Sequence, residues 1–247
     1  MTAGFQAWTD SGFIQVDSDL GMPNWQLRQK LTASAVDSSF QIYYNNIGQT
    51  ATVGAKMIQF VFTAINPLVA FTINGSGLYF VPIKWTQNGN SWTVDIVVNA
   101  ACTMTCYVFD RADQTMSSNN FGAQVFNGSG ACVADVTVPF ARILGSFTGN
   151  LQFPSGSTGW YSGGGQEPPR GVFGTWNFGV AAVAVAAIIP TWEYTSSVKG
   201  AFMSLFNTNG GDIQGINTLI GSGDSSNYVG FKEQLQWGFT AVDVTNY

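Results

Sequence analysis

The sequence contains no histidine in 247 residues. That excludes Ser-His-Asp and Cys-His nucleophilic catalysis, imidazole metal ligation and the commonest general base. Charge is scarce as well: 9 basic and 14 acidic residues make the chain 9% charged, with a net charge of -5. Nucleic-acid binding by phosphate neutralisation needs stripes of Lys and Arg that are not there, and a charged disordered tail is excluded on the same ground. With three Glu and 11 Asp in the sequence, two-carboxylate chemistry of the glycosidase kind survives in principle. Residues Met1 to Asp10 have no basic segment followed by an apolar one, so no signal peptide is expected.

Cysteine is limited to Cys102, Cys106 and Cys132. Four residues of extended chain separate the first two by about 13 Å, too far for a mutual disulfide. Either could meet Cys132, but small buried side chains are the plainer reading. A metal would need a fourth ligand that is lacking.

What the chain has in quantity is neutral: 75 Ser, Thr, Asn and Gln residues, 29 Gly and 14% aromatics. Apolar and polar residues alternate with period two over Gln41–Tyr44, Met57–Ala64, Leu78–Ile83, Ser91–Val98, Thr103–Asp110 and Ala131–Val138. Turn sequences such as Asn74-Gly75-Ser76-Gly77, Gln87-Asn88-Gly89-Asn90 and Asn127-Gly128-Ser129-Gly130 separate them, which predicts many short antiparallel strands. The best helix candidate is Val198–Phe206, followed by Asn207 and Asn209-Gly210.

One repeat stands out. Gly4-x-Gln6 leads to Ser11-Gly12 and then Asp17; Gly122-x-Gln124 leads to Ser129-Gly130 and then Asp135, without a gap. A strand, a turn and a returning strand account for the spacing, with Gly supplying a positive φ and Asp accepting hydrogen bonds from the next turn. Both hairpins should then share one turn geometry.

The segments GFQAWTDSGFIQVDS, CYVFDRADQ and FGAQVFNGSGACVAD resemble those of small tail-tip or tail-fibre proteins of tailed bacteriophages. The resemblance covers about residues 1–36 and 57–144. Ala134 and Val136 depart from it, standing where a larger apolar residue and a Ser are usual. It implies a structural protein of the virion's tail (tail tip, baseplate or fibre), made in the host cytoplasm. Such a protein assembles with itself, three-fold symmetry being favoured, and with other tail proteins, and contacts a host-surface receptor. A carbohydrate-binding or polysaccharide-degrading tail protein and a head decoration protein are the alternatives.

Composition shifts near residue 145. Gly145–Gly171 holds eight Gly and three Pro, the mark of a loop or linker. The expected organisation is an antiparallel β-sandwich domain with two repeated hairpins over 1–144, a Gly/Pro-rich linker over 145–171, and a smaller, mainly β domain over 172–247. The latter is expected to face assembly partners or a receptor.

Trp160 and Tyr161 near Glu167, and Trp192 and Tyr194 beside Glu193, are candidate partner or receptor contacts. Glu167 precedes Pro168-Pro169 in a Gly-rich loop, a poor platform for catalysis, and no catalytic centre, cofactor or metal is expected. Gly171–Ile189 runs 19 residues without charge. Gly171, Gly174 and Gly179 and the closing Pro190 argue against a membrane helix. The alternation of Val with Ala instead suits a strand packed closely on another chain, with Val180, Val183, Val185 and Ile188 as candidate assembly residues. Gly210-Gly211-Asp212 and Gly221-Ser222-Gly223-Asp224 lack the Lys and the strand-to-helix setting of a phosphate loop and are expected to be turns.

Overall fold

The computed structural model describes residues 6–8, 14–17, 25–44, 49–115, 122–151, 171–195, 200–222, 231–234 and 236–247. They are almost wholly β. A short hairpin, β1 (Gln6–Trp8) and β2 (Ile14–Asp17), precedes β3 (Trp25–Ser34), β4 (Val36–Tyr44), β5 (Gln49–Thr63), β6 (Leu68–Ile73), β7 (Phe80–Asn88), β8 (Ser91–Val98) and β9 (Thr103–Arg111). After the four-residue helix α1 (Ala112–Thr115) a second hairpin follows, β10 (Gln124–Phe126) and β11 (Cys132–Asp135). The remaining strands are β12 (Arg142–Asn150), β13 (Gly171–Asn177), β14 (Val183–Ile189), β15 (Trp192–Thr195), β16 (Gly200–Asn209), β17 (Asp212–Ser222), β18 (Phe231–Gln234) and β19 (Gln236–Asp243).

Two antiparallel sheets face each other. One runs β12-β19-β14-β6-β9-β3; the other runs β13-β17-β16-β7-β8-β5-β4, with β15 and β18 added beside β16. Alternation along β5 and β8 sends Ile58, Phe60, Phe62, Val94, Ile96 and Val98 inward, where Phe71, Val108, Val183, Val185, Phe206 and Phe239 meet them. This inter-sheet layer is the main core, as in any face-to-face sandwich.

Both sheets also curl. Leu27 N donates to the Pro139 carbonyl and Ala141 N to the Trp25 carbonyl, so the residues leading into β12 pair with β3 at the opposite edge of the same sheet. Inside that curl lies a second core of Ala70, Phe109, Ala184, Ala186, Val242 and Val244. The long β4–β5 arm brings Phe40, Val53 and Ala55 over the other sheet's outer face, against Val81, Val97 and Leu205.

The boundary expected near residue 145 falls inside β12. Strands from either side of it share both sheets, through β6 beside β14 and β7 beside β16, so 1–144 and 172–247 are not separate sandwiches. Thr208 pins this junction: its hydroxyl accepts from Ile73 N at 2.8 Å and lies 3.1 Å from the Ile73 carbonyl. Over its described part, Gly200–Phe206, the helix expected at Val198–Phe206 is not formed. Gly200–Asn209 is instead a strand hydrogen-bonded to β17 along its whole length, and tertiary pairing overrides local propensity there. No helix among the described residues is long and apolar enough to cross a membrane.

Candidate interaction surfaces

The hairpins that carry the repeat have one register. Gln6 lies opposite Asp17 and Gln124 opposite Asp135, and each hairpin slips by one residue in the same place, between Ala7 and Trp8 and between Val125 and Phe126. In the second hairpin the reason for the repeated residues is visible. Gln124 Nε2 donates to the Asp135 carboxylate at 2.9 Å, and that carboxylate also accepts from Thr137 N and Oγ1 at 2.9 and 2.6 Å. Gly130 has the positive φ, 82°, that the turn requires. Gly12 lies outside the described residues.

Asp135 is itself buried against β3. Gln26, also buried, accepts from Asp135 N at 2.8 Å through its side-chain oxygen and donates from its amide nitrogen to the Asp135 carbonyl and, at 2.7 Å, to the Val138 carbonyl. A primary amide has both functions needed to clamp one residue's N–H and C=O. Gln26 thus fastens the hairpin to the sandwich, a role that the sequence pattern did not point to.

The candidate assembly residues lie within the chain's own core. Val183 and Val185 are 1% and 0% exposed, pointing between the sheets, while Ala184 and Ala186 point into the curl on the other face. Val180 and Ile188 are half-buried against the same packing. Within the uncharged run, Val183–Ala186 is apolar because this part of β14 sits in mid-sheet, between β19 and β6, and is covered on both faces. Its alanines let the sheet curl, so no second copy is needed to cover it.

Trp160, Tyr161 and Glu167 lie outside the described residues. Trp192 and Tyr194 occupy alternate positions of β15, opposite Met203 and Ala201 of β16, and Glu193 between them is opposite Lys232 of β18; of their side chains nothing further is described. Exposed apolar side chains occur elsewhere. Ile143 and Leu144 on β12 and Val172 on β13 project from the terminal strands of the two sheets, Ile143 50% and Val172 55% exposed. These two strands border the same side of the sandwich, since Phe147 of β12 meets Trp176 of β13 with ring centroids 6.2 Å apart. Ile143 and Leu144 are adjacent in the sequence, so no period-two pattern marks them beforehand.

All three cysteines are free thiols, Cys106 and Cys132 buried and Cys102 partly so. Burial pushes each thiol's pKa up, most strongly at Cys106. Among the described residues no three His, Cys, Asp or Glu side chains are grouped to hold a metal ion. Comparison with protein-family models, curated proteins and solved structures finds no match.

Proposed function

We propose that this chain is a structural component of a bacteriophage tail, at the tip, baseplate or fibre, that assembles with copies of itself and with other virion proteins. The observation that carries this reading is the Gly-x-Gln … Asp hairpin, which the resemblance picks out and which is locked onto the sandwich by buried Gln26 and Asp135. A motif conserved in type between two hairpins of one chain and spent on hydrogen bonds to backbone builds a scaffold. The sparse charge fits a surface largely covered in an assembly. Exposed Ile143 and Leu144 on β12 and Val172 on β13 supply apolar area for neighbours, and the ribbon of β15 and β18, whose sequence carries Trp192 and Tyr194, is the candidate contact for a partner or receptor.

Mass spectrometry of purified virions, together with the sedimentation of the isolated chain, tests this. The chain should be found in tails and should self-associate as concentration rises. Absence from virions and a strict monomer at high concentration would defeat it.

A further inference from the structure

The register of the whole molecule repeats, beyond the hairpins. In the first half Gln26 pairs with Asp110 and Leu27 with Phe109, the ladder slips by one residue, and Gln29 pairs with Val108. In the second half Arg142 pairs with Asp243 and Ile143 with Val242, the ladder slips by one residue, and Gly145 pairs with Ala241. The β7–β8 turn closes with Asn88 opposite Ser91 around Gly89 at φ 60°; the β16–β17 turn closes with Asn209 opposite Asp212 around Gly210 at φ 58°. Just past the strand that flanks each turn, Ala64 N donates to Asn90 O and Phe178 N to Gly211 O. Strand order agrees too: β3-β9-β6 facing β5-β8-β7, and β12-β19-β14 facing β13-β17-β16. Only β4, β15 and β18 lack a counterpart among the described strands.

The two halves meet through their own counterparts. Ala70 pairs with Tyr107 and Ala186 with Thr240, and counting from Asp110 and Asp243 makes Ala70 and Ala186 equivalent. Those two residues pair directly with each other, antiparallel, where β6 meets β14. On the other side of the curled sheet Ala141 N donates to Trp25 O. These are again equivalents: Trp25 precedes Gln26, which lies opposite Asp110, and Ala141 precedes Arg142, which lies opposite Asp243. The strands β2 and β11, equivalent in the hairpins, also lie against each other. Antiparallel pairing of a residue with its own equivalent is what a two-fold axis requires.

We infer that the chain is two copies of one folding unit, a hairpin followed by a small sandwich, fused about a pseudo-two-fold axis, and that the seam along β6, β14, β3 and β12 is an interface whose partner is a second copy of the unit. This inference is independent of the virion reading. It has a geometric consequence for the chain's connections. A two-fold axis makes the path from the end of the second unit to the start of the first equivalent to the path from the end of the first to the start of the second. In register, Tyr247 is the equivalent of Gln114 and Gly4 of Gly122. Residues 115–121 bridge the existing connection, and Met1–Ala3 supply part of the other.

A circular permutant of the full chain tests it: the chain opened between residues 118 and 119, with about four Gly or Ser residues joining Tyr247 to Met1. It should unfold cooperatively with a melting temperature within about 5 °C of the parent's and elute at the parent's volume. The parent with the same four residues appended to Tyr247 serves as control, and a permutant with about twelve joining residues as the second variant. If the control folds while the short-linker permutant does not, the inference is overturned, whether or not the longer linker rescues it, because the two connections are then not equivalent.

Discussion

Asp135 joins two requirements in one residue. Its carboxylate holds Gln124 across the hairpin and Thr137 after it, while its backbone is clamped by Gln26. Replacing it by Ala leaves the Thr137 N–H and the Gln124 amide without their acceptor in a part-buried place, a cost of about 2 kcal/mol. Thermal unfolding of Asp135→Ala should show a clear fall in melting temperature, with Asp135→Asn recovering part of it; an unchanged transition would mean that the hairpin is not fastened this way. Cys106 makes a prediction in pH. Its thiol has an ordinary value of 9.0 and burial raises it in the folded state, so the unfolded chain ionises first as pH rises. The stability this group contributes is complete below about pH 9 and is lost above it, at up to about 1.4 kcal/mol per pH unit. Denaturant titrations between pH 8 and 10 should give a shallower fall for Cys106→Ala than for the parent, and equal slopes would refute the assignment.

At the scale of the element, β14 shows what its residues can and cannot tell. A Val-Ala alternation without charge says that a strand is covered on both faces, and it says nothing of what covers it. Only the pairing with β19 and β6 shows that the cover is the chain itself. Val183→Asp therefore places a carboxylate in the inter-sheet core, directly across the ladder from Asp243, at a cost of several kcal/mol. Circular dichroism and exclusion chromatography should show loss of the fold throughout, and a folded N-terminal part with only assembly lost would contradict the packing. Legibility followed the same line. Ser91–Val98 is read from its alternation and occurs with those bounds as β8. The hairpin repeat is legible because Gln, Gly and Asp each answer a local need. The strand β16 was hidden because Gly200–Asn209 has weak local preferences and is fixed by β17, and Gln26 was hidden because its partner lies 109 residues away. Trp192 and Tyr194 could be singled out as aromatics, whereas their place on a ribbon added to one unit follows only from comparing the two units.

For the whole molecule, the Gly-rich stretch after residue 145 suggests a hinge between domains, but both sheets run across the seam. Separating the halves would strip neighbours from β6 and β14, whose Phe71, Val183 and Val185 belong to one inter-sheet core, and would orphan the Ile73 backbone groups held by Thr208. Losing that much packing at once makes an intermediate with one half folded unfavourable. The chain should then unfold as a single cooperative unit even though it is built from two similar ones. Calorimetry distinguishes the cases by size. At about 0.7 kcal/mol per residue near 60 °C, unfolding the whole chain absorbs about 170 kcal/mol, and a lone half would absorb about 85 kcal/mol. The van't Hoff enthalpy read from the sharpness of the transition should match the larger figure and equal the calorimetric value. A van't Hoff enthalpy near the smaller figure, or two resolved peaks, would show that the units unfold separately and that the seam contributes little.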